Sequence, residues 1–370
     1  MMPPIFAVMF IVVFLVALEV GLRTLTSFNE AIKQEVIYNQ RVLTETEIND
    51  SVWLEDLTAF VPNSNRSYQT SEYSFVANHD HRGYRNPCFR DESATRIGIG
   101  DSFVYGVGVD DKNTLQCQLS RLGIGGYYTL SAPGAGPYQY KRLLNRATDL
   151  FSSASSRAIP IDLFVFLGND FEEIVQIGRQ GEEQLSYNAP SAGILREFGN
   201  ELWEGLNRLY FEYGNSSYFL TAVKMIVRRY RNSEELYVRN RNGSSIYRIG
   251  SENVSASIAE YIRLWKGWVV DSGFRTGAVI VIPSPSEMDA KRLAFDLKRL
   301  GYDDVSQFDQ HFKSDQFRSA CSQLVPDPCV FIDDILQGNH FYEVDNHLTD
   351  IGLEILSLRV AEQTKKLVLE

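Results

Sequence analysis

Three short segments carry the side chains needed for acyl transfer to and from a hydroxyl. Gly100-Asp101-Ser102-Phe103 sets a serine directly after the apolar run Arg96-Ile97-Gly98-Ile99. Gly168-Asn169-Asp170 follows a second apolar run, and Asp345-Asn346-His347 lies near the far end of the chain. A serine hydroxyl is a weak nucleophile until an imidazole takes its proton. The imidazole in turn needs a carboxylate on its other nitrogen, which fixes the tautomer and stabilises the imidazolium. The tetrahedral intermediate then needs donors aimed at its negative oxygen. Ser102 is the candidate nucleophile, His347 the candidate general base and then acid, and Asp345 the carboxylate that orients it. Asp350 and Glu343 are alternative carboxylates. The backbone N–H groups of Ser102 and Gly134 and the side-chain amide of Asn169 are the candidate oxyanion donors. Each group also has a plain structural reading. Ser102 could cap the following helix, Asn169 and Asp170 could form an Asx turn, and Thr349 or Asp350 could start a helix after His347. Gly-Asp-Ser alone is short enough to arise by chance; the conjunction of the three segments points to chemistry.

Such groups need a scaffold that delivers them to one place. Apolar strand candidates lie at 97–100, 127–130, 163–167, 278–283 and 330–333, with helical patterns at 114–122, 138–151, 255–271, 286–300 and 351–368. Alternating strands and helices, with strands that read as continuously buried, predict an α/β fold whose parallel sheet is covered on both faces. In such sheets ligands meet residues just beyond the carboxyl ends of the strands. Ser102, Gly134 and Asn169 all fall there. Residues 175–254 interrupt the alternation and predict a helical insertion. Its aromatic side chains, among them Trp203, Tyr210, Tyr213, Tyr218 and Phe219, either pack on the domain or line a carbohydrate cleft.

With these segments placed, the chain resembles the SGNH (GDSL-type) hydrolases, whose sequence blocks supply Ser, Gly, Asn and His. Gly100-Asp101-Ser102-Phe103 is similar to the first block, and Ser131-Ala132-Pro133-Gly134-Ala135-Gly136-Pro137 to the second, with Gly134 at the oxyanion position. Gly168-Asn169-Asp170 is similar to the third block, and Asp345-Asn346-His347-Leu348-Thr349-Asp350-Ile351-Gly352 to the last. His81-Arg82-Gly83-Tyr84-Arg85-Asn86 resembles a segment of membrane-anchored bacterial members. The resemblance covers residues 75–368 without the insertion. It implies a flavodoxin-like three-layer α/β/α fold and a serine esterase acting on an acyl ester, such as an O-acetyl group on a glycan. Two departures stand out. Thr129 and Ser131 occupy the region where the second block carries an Asn, and Asp345 precedes His347 by two residues where three is frequent. The two-residue gap also occurs in members that transfer acetyl groups to polysaccharides, so an O-acetyltransferase is the alternative. A catalytically silent module of polysaccharide assembly is the third reading.

Charge, cysteines and the N-terminus bound the setting. The 370 residues carry a formal net charge of −11 with 22% charged side chains, and no basic stripe suited to nucleic acid. The cluster Lys224, Arg228, Arg229 and Arg231 has apolar neighbours at helical spacing, as a solvated helix face would. From Ile5 to Leu18 no polar residue occurs, and the apolar stretch is long enough to cross a bilayer. It predicts an uncleaved anchor over 1–23, a stalk and lead-in over 24–90, and a hydrolase domain over 91–370. Cys321 and Cys329 flank a short turn-rich loop that a disulfide would close. Cys88 and Cys117 lie on either side of the first strand of the alternation and would form a second, the alternative being four unrelated buried thiols. Paired cysteines suit an oxidising compartment, and with the anchor they predict an extracytoplasmic catalytic domain. His79 and His81 lack further ligands at suitable spacing, and no glycine-rich phosphate loop is present. Neither a metal nor a cofactor is therefore expected.

Overall fold

The structure, a computed structural model, describes residues 59–70, 72–89, 94–151, 159–181, 237–239, 245–300, 302, 304–324, 329–343 and 345–369. The anchor expected over 1–23, most of the stalk, and the aromatic and basic residues expected in the insertion lie outside them. Among the described residues no helix is long and apolar enough to cross a membrane.

The first buried run forms β3 (Arg96–Gly100), and four further runs form β4 (Tyr127–Ser131), β5 (Pro160–Phe166), β8 (Arg275–Ile282) and β10 (Cys329–Phe331). These five strands make one sheet in the order β10-β8-β5-β3-β4, and every pairing is parallel. Counted along the sheet's own strands, this is the order 2-1-3-4-5, with its topological switch point between β3 and β5. Because side chains alternate across a strand, each strand feeds two cores. Ile97, Ile99, Leu163, Val165, Val279 and Val281 point to one face. There they pack against α3 (Pro137–Phe151), α4 (Phe171–Gln180), α5 (Ser255–Asp271) and α8 (Phe312–Ser322). Phe164, Phe166, Ala278, Ile280 and Ile282 point to the other. That face is covered by α1 (Ser102–Tyr105), α2 (Leu115–Arg121) and α9 (Asp350–Leu369). The α/β class and parallel sheet expected from the sequence are thus present.

Two expectations need correction. The pattern over 286–300 is two helices, α6 (Pro285–Met288) and α7 (Ala290–Arg299), because Asp289 adopts an extended conformation and its side chain caps the Lys291 N–H. The insertion is not helical throughout. Residues 175–180 continue α4, but its described far end is β6 (Tyr237–Arg239) paired antiparallel with β7 (Ser245–Arg248), which also pairs with β9 (Phe308–Asp309). Tyr237, Val238, Ile246 and Tyr247 are β-branched or aromatic residues that fit a pleated surface. Helix α8 also carried no clear periodic signal.

Residues 59–89, grouped with a stalk from sequence, pack on the sheet's helices. They contain the hairpin β1 (Asn65–Gln69) and β2 (Ser74–Asn78), whose Phe75 and Ala77 share a small core with Phe60, Tyr105 and Val107. Arg85 is 1% exposed and donates to the carbonyls of Tyr105, Gly106 and Val109 and to the Asp111 carboxylate. Asn86 accepts from the N–H and hydroxyl of Thr129 and donates to its carbonyl. An asparagine from the lead-in therefore braces β4. Both expected disulfides are present, Cys88–Cys117 and Cys321–Cys329. Closing loops of 29 and 8 residues corresponds to about 3.5 and about 2.5 kcal/mol in the chain-entropy account. The first ties the lead-in to α2.

Candidate active site

Gly100 ends β3 with no side chain, and that allows the next helix to lie close. A Cβ there would sit 2.4 Å from Val104 Cγ2 and 3.0 Å from Phe164 Cβ. The chain consequently turns at once into α1, and Ser102 stands at its first position, 8% exposed. The cap is Asp101, whose carboxylate accepts from the Phe103 N–H at 2.9 Å. Ser102 is therefore not spent on capping.

The base arrives from the other end of the sequence. Phe341 and Leu348 form an isolated antiparallel bridge, and the Tyr342 N–H donates to the His347 carbonyl at 2.8 Å. Between them the loop reverses through Asn346, which has φ +70°. The Arg292 guanidinium of α7 holds the loop from outside, donating to the Glu343 carbonyl and the Asn346 side-chain oxygen. Thr349 closes the loop by accepting from the Gly352 N–H at the start of α9. His347 Nε2 lies 2.8 Å from Ser102 Oγ, and His347 Nδ1 lies 2.9 Å from Asp345 Oδ1. Hydroxyl, imidazole and carboxylate form one unbroken chain across 245 positions. Burial opposes ionisation of Asp345, but the charge and hydrogen bond of His347, helped by the Tyr73 hydroxyl, hold its carboxyl below the ordinary range. The imidazole face rests against Phe103, ring centres 5.1 Å apart, and Phe103 stacks on Phe166 at 3.9 Å.

Gly134 lies in the turn after β4 with φ +79°, a conformation that favours glycine. A Cβ there would meet no atom within 4 Å, so the space above it is open. Asn169 follows β5, across the switch point from Ser102. Its Nδ2 donates to Asp101 Oδ2 at 3.3 Å, while its Oδ1 is buried with no hydrogen-bond partner among the described residues. The carboxylate sets this orientation, since the reverse would place two acceptors face to face. The turn is fixed from below: the buried Lys313 of α8 donates to the Leu167 carbonyl at 2.6 Å. Asp170 makes no Asx turn; its Oδ2 accepts from the Tyr140 hydroxyl at 2.7 Å and the Phe166 N–H at 3.0 Å. Burial, with the Asp101 charge nearby, pushes the Asp170 carboxyl well above its ordinary range.

Burial also pushes Asp101 up to about 6, against the pull of the Phe103 N–H, His347 and Asn169. A carboxyl raised on folding contributes stability below its ordinary range and loses it as pH climbs to the folded value. Asp101→Asn is therefore expected to melt higher than the unsubstituted protein at about pH 8, with the difference shrinking towards about pH 4. Activity should fall all the same, because an asparagine amide beside Asn169 no longer dictates which way that amide points. Thermal melts at the two pH values, paired with turnover, check both halves.

The sequence reading did not identify Tyr73, Glu72, Arg292 and Lys313 as neighbours of this site. Their partners lie between 51 and 273 positions away in sequence, and no local motif marks them. His79, weighed as a metal ligand, is a buried ring stacked on Phe60 and bonded to Ser64 and Tyr105. His340 accepts from the Gln337 N–H as part of a cap, and His311 precedes α8. Among the described residues no cluster of His, Cys, Asp and Glu is arranged to hold a metal. No protein-family model matches the chain, and no curated protein matches it either.

Proposed function

We propose that the protein is a serine esterase of the SGNH type, acting on an acyl ester, with an O-acetyl group on a glycan as the substrate class. The observation that carries this reading is the continuous hydrogen-bonded chain Ser102–His347–Asp345 at 2.8 and 2.9 Å. In the forward step His347 Nε2 takes the hydroxyl proton as Ser102 Oγ bonds to the acyl carbon. The carbonyl electrons move to its oxygen, which the N–H groups of Ser102 and Gly134 and the second N–H of Asn169 Nδ2 receive. Collapse returns those electrons, breaks the bond to the alcohol, and His347 delivers the proton to the leaving oxygen. Water, activated by the same imidazole, then frees the acid and restores the serine. The two disulfides favour an extracytoplasmic setting, and the apolar segment at 1–23 is the proposed membrane anchor.

A second reading keeps the acyl-serine and replaces water by a polysaccharide hydroxyl. The two-residue separation of Asp345 and His347 favours it. A fluorophosphonate probe tests the shared step. The unsubstituted protein is expected to label covalently and Ser102→Ala not at all; equal labelling of both would remove the serine from the chemistry. Release of acetate from an aryl acetate, with and without an acceptor oligosaccharide, separates hydrolysis from transfer. Folded protein that neither labels nor turns over would favour a silent assembly module.

A further inference from the structure

We infer that Tyr73, at the turn between β1 and β2, is a positioning residue for the Asp345 carboxylate, and that this hairpin is an integral part of the active site. The inference rests on the esterase reading and deepens it. Asp345 uses Oδ1 for His347 and accepts from the Tyr73 hydroxyl through Oδ2. Its backbone N–H donates to Glu72 Oε2 at 2.8 Å. Two consecutive hairpin residues therefore grip the acid at its side chain and its main chain.

The grip is rigid because the turn is. Thr70 Oγ1 accepts from the N–H groups of Glu72 at 3.1 Å and Tyr73 at 3.2 Å, and the Thr70 N–H donates to the Tyr73 carbonyl at 2.9 Å. The Tyr73 ring lies 4.9 Å from Tyr342, whose N–H holds the His347 carbonyl and whose hydroxyl donates to the Gly108 carbonyl at 2.8 Å. At its other end the hairpin packs through Phe75 and Ala77 on Tyr105, which belongs to the same short helix as Ser102. One element thus touches both the helix bearing the nucleophile and the loop bearing the base. A carboxylate with only one anchored oxygen can rotate about its terminal bond. The phenol anchors the second oxygen, so Oδ1 stays directed at the imidazole Nδ1–H. It also disperses carboxylate charge. The groups facing Asp345 include His347, Tyr73 and Glu72, with the Tyr342 phenol close enough to feel its charge.

Tyr73→Phe removes the hydroxyl and keeps the ring packing. In the full chain acting on an aryl acetate, it is expected to lower kcat by about tenfold, the rate equivalent of one charge-assisted hydrogen bond. KM should not change. Without the phenol the carboxylate attracts the imidazolium more strongly, so the acid limb of the kcat/KM profile should move to higher pH. Tyr68→Phe is the control, since that hydroxyl sits on the same hairpin but faces the Tyr105 hydroxyl at 3.5 Å. It should leave the limb where it was. An unshifted limb in Tyr73→Phe, or equal losses in both variants, would assign the hairpin to packing alone and overturn the inference. If the unsubstituted chain neither turns over nor labels, the esterase reading fails separately. NMR titration of the His347 imidazole then decides the geometry: a midpoint that rises in Tyr73→Phe supports the contact, and one that stays put overturns it.

Discussion

His347→Ala is expected to slow turnover of an aryl acetate by about 10⁴-fold while leaving the fold intact. The substitution takes away the only base within reach of Ser102 Oγ among the described residues, so the hydroxyl must attack with its proton in place. It also takes away the acid that protonates the leaving alcohol. What survives is binding and the oxyanion donors, which act without the imidazole; a residue of activity above the uncatalysed rate is therefore part of the expectation. The side chain is 19% exposed at the rim of the site, and its neighbours are held independently by Arg292, Tyr342 and Glu72. Far-ultraviolet circular dichroism and a denaturation midpoint close to those of the unsubstituted protein would show that the loss is chemical. Activity within tenfold of the original, about 1.4 kcal/mol of barrier, would mean another group serves as the base.

Asp162→Ala should have the largest effect on stability, about 3–5 kcal/mol. Asp162 is 1% exposed in β5 and accepts from Arg96 Nε at 2.5 Å and Arg96 Nη2 at 2.7 Å. It also accepts from the Tyr127 hydroxyl at 2.9 Å and the Ala278 N–H at 2.8 Å. One carboxylate therefore joins β3, β4, β5 and β8. Cutting it back strands the Arg96 guanidinium, itself 6% exposed, in a place water cannot reach. Asp162→Asn should fall between, because an amide oxygen still serves one donor while the cation stays uncompensated. Urea denaturation measures both. A midpoint unchanged in Asp162→Ala would show that water enters this end of the sheet freely. Since Arg96 lies at the opposite end of β3 from Ser102, protein that remains folded should label with a fluorophosphonate to the same extent as the unsubstituted protein.

What could be read from the sequence divides along a physical line. β3, β5 and β8 are buried on both faces, and such strands advertise themselves as unbroken apolar runs; their order along the chain then implies a parallel sheet. Ser102, Asn169 and His347 stood out because each sits in a short motif at the end of such a run or beside a recognisable helix start. The break between α6 and α7 at Asp289 was hidden, because an apolar helical period continues across a break made by one extended residue. β6 and β7 were hidden for another reason: segments of three and four residues gain their order from pairing, β6 with β7 and β7 with β9 sixty positions away, and little from their own composition. Tyr73 illustrates the limit most clearly. It opens a strand-like piece, but nothing local marks its hydroxyl as the partner of a carboxylate 272 positions downstream. The lead-in itself read as a stalk because its pattern is polar and irregular, and Phe60, Phe75 and Ala77 become a core only when Tyr105 and Val107 complete it.

The loop bearing His347 runs directly into α9, whose Leu353, Leu356 and Val360 share the core that holds Val104 and Leu115. During ribosomal synthesis the hydroxyl side emerges early, and the imidazole follows only after nearly 250 further residues have been joined. A nascent or truncated polypeptide ending before this last helix can carry the imidazole but lacks the packing of Leu353, Leu356 and Val360 that would seat it. The contact between Ser102 and His347 thus reports a finished molecule, one in which the last helix has docked.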